Sequence, residues 1–140
     1  MKKSNDCLYC QQNELQQSLM IKICDLDTST LFLFKEQSHP GRCIVAYNEH
    51  VNELFELSES ERNAFMADVC KAATAIQNAF SPAKINYGAY SDKLPHLHFH
   101  LVPKYEGGIN YGSTFEMNPQ AIYPTEEEYS VTIQKIIDAL

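Results

Sequence analysis

The sequence lacks the marks of an extended, secreted, membrane-spanning or nucleic-acid-coating chain. It has no low-complexity run, no internal repeat and no long Pro/Gly/Ser linker, so its 140 residues read as one domain, 1–140. Basic residues are scarce, with 11 Lys and Arg against 18 Asp and Glu and a net charge of −7. A nonspecific nucleic-acid binder needs a basic stripe to displace counterions from phosphate, so no nucleic-acid partner is expected. A small phosphorylated substrate needs only a local cluster of donors and stays open. No apolar run approaches the roughly 18 residues of a membrane helix. The N-terminal MKKSNDCLYCQQNELQQ has no apolar secretory core. The expectation is a cytoplasmic protein with no membrane partner. In that reducing compartment Cys7, Cys10, Cys24, Cys43 and Cys70 are thiols or metal ligands, not disulfides.

What is present reads as α+β with a mostly antiparallel sheet. Residues 7–20 suggest a short helix. Strands are expected at 21–26, 31–35, 42–47, 84–90 and 96–102, with a turn at His39-Pro40-Gly41 and a helical connector over 49–56. Ser58 with Glu61 forms a capping box. Behind it Phe65, Val69, Ala72, Ala73, Ile76 and Phe80 recur at helical spacing, predicting a long helix to about Ala79. Thr125 with Glu128 opens a C-terminal helix with Tyr129, Ile133, Ile136, Ile137 and Leu140 on one face. Residues 104–124 are irregular. Their Tyr111, Phe115, Met117 and Tyr123 either pack on the sheet or help wall a pocket.

The chemistry concentrates in PHLHFHLVP, residues 95–103. Strand side chains alternate faces, and residues two apart lie about 6.6 Å apart on one face. His96, His98 and His100 therefore share a face, and Leu97, Phe99 and Leu101 share the other. Such a row can bind a transition metal, can supply a nucleophile with hydrogen-bond donors for an anion, or can be structural. A structural row leaves many ring nitrogens needing partners. A metal held by all three lacks any HxHxDH or HExxH pattern. Neutral imidazole, with a pKa near 6.5, is a good nucleophile toward phosphorus, and its neighbours can supply donors and a proton.

The run His96-Leu97-His98-Phe99-His100-Leu101-Val102 resembles the His-φ-His-φ-His-φ-φ signature of the histidine triad (HIT) family of nucleotide hydrolases and transferases. CLYC, Gly41 followed by RCIVAY, His50, the capped helix and Asn86 also fall in family order, so the resemblance covers about residues 7–103 and leaves 104–140 as a C-terminal extension. It implies a five-stranded antiparallel sheet with a long central helix and a C-terminal helix, and a homodimer. It implies His98 as the nucleophile on an α-phosphate, forming a nucleotidyl-histidine intermediate. His100 would donate to phosphate oxygens, His96 would complete the triad, and Asn86 would lie near the phosphate. The alternative is a noncatalytic nucleotide-binding or interaction module on the same scaffold. Two positions depart from the pattern. Lys93 stands where many relatives carry a phosphate-contacting Ser. Phe34 stands where many carry an Asp for the ribose, with Glu36 the nearest carboxylate.

Cys7-x-x-Cys10 is half a metal site, a redox pair or chance. The redox reading needs a thioredoxin-like βαβ context that the pattern lacks. Zinc needs about four N or S ligands. Cys24, Cys43 and Cys70 lie within strand or helix patterns and read as core thiols. The resemblance to zinc-bearing HIT proteins implies His50 and His96 as the remaining ligands of a structural Zn²⁺. His39 reads as an exposed turn residue with no role.

Overall fold

Period-two apolar patterning builds a five-stranded sheet in the computed structural model, which describes residues 3–140. The strands are β1 (Met20–Asp25), β2 (Ser29–Phe34), β3 (Cys43–Tyr47), β4 (Lys84–Gly88) and β5 (His98–Lys104). They run in the spatial order β1-β2-β3-β5-β4, and every neighbouring pair is antiparallel. The helices are α1 (Leu8–Gln11), α2 (Glu14–Leu19), α3 (Glu59–Phe80) and α4 (Glu126–Ala139). The expected α+β class is what the structure has.

The sheet separates two apolar layers. On one face Leu31, Leu33, Val45 and Leu101 pack against Phe65, Val69, Ala72 and Ile76 of α3, with Ile136 of α4 in the same core. On the other face Phe32, Phe34, Ile44 and Ala46 pack against Cys7, Leu8 and Tyr9. Register decides which face the histidines take. Ile44 pairs with His100 and Ala46 with His98, so both rings stand on the second face, away from α3.

Helix α3 starts and stops where its local chemistry dictates. Ser58 accepts from the Glu61 N–H, and the Glu61 carboxylate accepts from the Ser58 N–H. The helix ends on Ser81 in the left-handed conformation at φ 50°, just before Pro82. Buried Asp68 accepts from the Thr28 N–H and hydroxyl and from the Ser29 hydroxyl, fixing α3 to the β1–β2 turn.

Several boundaries differ from expectation. The first helix breaks at Gln12, in the left-handed region at φ 49°, and Asn13 caps a new one. The 49–56 connector holds only a 3-10 turn, Leu54–Glu56. Strand β5 begins at His98, not His96, because the backbone there is diverted: the Leu97 N–H donates to the Val51 carbonyl at 2.7 Å. Among the cysteines read as core thiols, Cys43 is buried, but Cys70 is exposed and Cys24 only half-buried. His39 is buried, contrary to expectation. No helix among the described residues is long and apolar enough to cross a membrane.

Candidate active site and metal centre

Two neighbouring histidines on β5 are held in opposite tautomers. The His98 Nδ1 lies 2.7 Å from the His96 carbonyl oxygen, which can only accept. Nδ1 therefore carries the proton, and Nε2 keeps its lone pair. The Ser91 hydroxyl lies 3.3 Å from the same nitrogen. The His100 Nδ1 lies 3.1 Å from an Arg42 guanidinium nitrogen, which can only donate. Here Nδ1 accepts and Nε2 carries the proton. The two rings meet edge to face with centroids 5.2 Å apart. One thus offers an unprotonated nitrogen and the other an N–H donor.

Both rings are neutral at pH 7. Burial pushes His98 below the ordinary imidazole range, against the bond to the His96 carbonyl. Burial first, then the Arg42 charge and His98, push His100 down to about 2. The two rings border a cavity of about 480 Å³ with Tyr9, Phe34, Ile44 and Met117 among its walls. Its remaining rim is the 90–94 loop, including exposed Lys93 and Asp92.

A second cluster forms directly beneath. The Cys7 and Cys10 sulfurs and one ring nitrogen each from His50 and His96 lie within 4.8 Å of one another. His96 Nε2 donates to the Tyr47 carbonyl at 2.6 Å, leaving its Nδ1 unprotonated at 3.2 Å from the Cys7 sulfur and 3.6 Å from that of Cys10. His50 Nδ1 also lies 3.6 Å from the Cys10 sulfur. Metal–sulfur and metal–nitrogen bonds of about 2.3 and 2.0 Å at tetrahedral angles put sulfur and nitrogen about 3.5 Å apart. The Tyr47 carbonyl fixes the His96 tautomer as an outer partner of a metal-bound imidazole does. Donor set and geometry both suit a four-coordinate transition metal.

The other residues named from sequence divide. Lys93 borders the histidine cavity. Asn86 lines the smaller neighbouring hollows, with Tyr90 and Phe115 at the edge of one. Glu36 does not line the cavity: it is buried, and its Oε2 accepts from the Ser38 N–H and hydroxyl and the Ile122 N–H. That carboxylate ties the C-terminal extension to the end of β2. Of the extension, Met117 lines the histidine cavity while staying partly open to solvent, the Phe115 ring lies tilted 6.2 Å from that of His100, and Tyr111 and Tyr123 are exposed.

Two residues of this site are absent from the sequence reading. The Tyr9 ring sits 4.8 Å from His98 and 5.2 Å from His96. Its signal was its place between the two cysteines. Arg42 is fully buried. Its signal was a lone charge opening the apolar run RCIVAY.

Comparison with known proteins agrees with this fold. A histidine triad protein from Sinorhizobium meliloti superposes with a TM-score of 0.84 at 23% identity, covering 91% of this chain and 95% of its own. An AP-4-A phosphorylase of Mycobacterium tuberculosis is 33% identical over 79 residues, which are 52% of this chain but only 40% of the phosphorylase. The chain therefore spans less than half the length of that relative. An adenosine 5'-monophosphoramidase of Schizosaccharomyces pombe is 25% identical over 122 residues, 81% of this chain and 89% of that protein. The HIT domain family model matches residues 16–107, most of the chain and all of the histidine run, and the chain belongs to that family.

Proposed function

We propose that the protein is a nucleotide hydrolase or nucleotidyl transferase that works through a nucleotidyl-His98 intermediate. The observation that carries this is the pair of opposed tautomers. His98 Nε2 has a lone pair for an α-phosphorus, and His100 Nε2–H can donate to a phosphoryl oxygen. The lone pair forms a P–N bond as the bond from phosphorus to the leaving group breaks. The leaving group keeps that electron pair and takes up a proton. Water, or another acceptor, then attacks phosphorus, and the P–N bond breaks to restore imidazole. Relatives named as an adenosine monophosphoramidase and an AP-4-A phosphorylase support nucleoside phosphoramidates and dinucleoside polyphosphates as substrates. Lys93 at the cavity rim is suited to a phosphate contact. Asn86 would act from the adjoining hollow, through the Tyr90 and Phe115 edge.

The four-ligand cluster is read as a structural zinc site. Four protein ligands leave no open position for substrate. The metal would hold His96, whose carbonyl orients His98. Cytoplasmic location agrees with thiols kept reduced. A homodimer is the family expectation, and β4 is a sheet edge with Tyr87 exposed.

The test is AMP release from adenosine 5'-phosphoramidate and from diadenosine tetraphosphate. His98→Ala should lower kcat about a thousandfold or more, because no other group replaces the nucleophile. A variant as active as wild type would remove the proposal. Nucleotide binding without turnover in the wild type would favour the noncatalytic module instead.

A further inference from the structure

Arg42 stands out because no carboxylate bonds to its charge, although Glu36 acts on it from a distance. Its side chain is fully buried. One guanidinium nitrogen donates to the Met117 carbonyl at 2.8 Å, and the other reaches His100 Nδ1 at 3.1 Å and the Met117 sulfur at 2.9 Å. Its Nε has no partner. The guanidinium lies 4.1 Å from the Phe34 ring centroid and 5.2 Å from that of Phe115. The one ion pair among the described residues is Lys22 with Asp25, elsewhere. The nearest buried carboxylate, Glu36, spends its Oε2 on Ser38 and Ile122, and its Oε1 has no hydrogen-bond partner, Arg42 included.

Burying a guanidinium without a carboxylate is costly, and natural folds pair such charges. The bonds Arg42 does make are to neutral acceptors, and the two rings offer only their π faces. Arg42 keeps its proton even so: burial pushes it down only to about 10, with Glu36 and Tyr90 opposing. A full positive charge therefore stands one imidazole away from the cavity, in a protein whose net charge is −7. In a site shielded from water such a fixed charge acts strongly on an anion placed nearby. The same guanidinium, being donor only, forces His100 into the tautomer with its proton on Nε2.

We propose that Arg42 is the positioning residue of the phosphate site: it locks His100 as an N–H donor and supplies, through that ring, the positive charge that an anionic phosphoryl group neutralises. The inference deepens the function proposed above and rests on it for the identity of the anion. It assigns Phe34 a part too. The aromatic side chain at the end of β2 holds the guanidinium by a cation–π contact instead of an ion pair, so the charge is oriented without being cancelled. A carboxylate at position 34 would cancel it.

The competing account is that Arg42 only staples the C-terminal extension through Met117. Two measurements on the full chain separate them. Long-range proton–nitrogen NMR at pH 7 reads the His100 tautomer directly and needs no ligand. Wild type should show a single tautomer protonated at Nε2. Arg42→Met should lose it to a mixture, and Arg42→Lys, which keeps charge and donor, should retain it at least in part. Binding is read with AMP and with adenosine as probes. Arg42→Met should weaken AMP about tenfold to a hundredfold and leave adenosine within about twofold, since only AMP carries the phosphate. If the variant weakened both probes equally, the residue would be a staple and the inference would fall. It would fall equally if His100 kept one tautomer in Arg42→Met. A wild-type protein that bound no AMP would count against the nucleotide reading, and the ligand-free spectrum would still decide the role of Arg42. Should Arg42→Met not fold, Arg42→Lys and Phe34→Asp carry the test, with Phe34→Asp expected to weaken AMP more than adenosine by about tenfold.

Discussion

At the scale of single residues, the site depends on small groups that fix larger ones. Gly41 precedes Arg42 with φ +90°, a conformation that side chains rarely adopt, and an added Cβ would meet the Phe80 ring at 2.8 Å. Gly41→Ala should therefore cost about 1–3 kcal/mol in chemical denaturation, from backbone strain and the displaced ring. A loss below about 0.5 kcal/mol would mean that Phe80 moves aside freely. The residue scale is also where the sequence was most legible and most incomplete. His98 and His100 could be seen as partners because strand alternation is local. Their tautomers could not, because each is set by something outside the alternation: the His96 carbonyl for one and Arg42, 58 residues away, for the other. Glu36 was read as the carboxylate nearest along the chain to Phe34, where many relatives carry an Asp for the ribose. In space its Oε2 turns to Ile122, 86 residues on.

At the scale of elements, the one-turn helix α1 links the two chemical clusters. Cys7 caps it, accepting from the Cys10 N–H, and Tyr9 between them covers His98 and His96. A helix of four residues has almost no intrinsic stability. Its place must come from the cysteines and from burial of Leu8 and Tyr9. A Cys7→Ser/Cys10→Ser double variant should lose one bound metal per chain by elemental analysis. Its melting temperature should drop by several degrees, as expected when a ligand that binds only the folded state is removed. Activity should fall with it, because Tyr9 and His96 would both lose their anchor on the His98 side. Retention of the metal by the double variant would place it elsewhere, with the triad itself the first candidate. The strands, the long helix and its caps were readable because their signals lie within a turn or a pleat. The shortened connector was not, because it answers to a distant backbone group, the Leu97 N–H that binds the Val51 carbonyl.

At the scale of the whole molecule, the sheet divides labour. One face is an apolar core under α3 and α4, and the other buries ionisable groups, including His96, His98, His100 and Arg42. Burying neutral imidazoles ties stability to pH. His100 is pushed to about 2 by burial, Arg42 and His98. His39 is lowered by burial and Arg42, against Asn110 and Glu36. In the unfolded chain both titrate near 6.5. Between the folded and unfolded values the unfolded chain binds more protons, so stability is full above about pH 6.5 and declines as pH falls. His100 alone should remove about 2 kcal/mol between pH 7 and pH 5. The measurement is urea unfolding at both pH values. It is best made in the Cys7→Ser/Cys10→Ser background, so that acid release of a metal does not contribute. A second protein in that background, His100→Phe, should show a decline smaller by about 2 kcal/mol, the share of His100, and keep the share of the other buried histidines, His39, His96 and His98, whose burial also lowers them. An unchanged unfolding midpoint from pH 7 to pH 5 would show that the folded protein takes up protons at pH 5 as readily as the unfolded chain. The Arg42 contact would then not be holding the His100 Nδ1 as an acceptor, and with it would go the basis for treating this ring as a locked donor to phosphate.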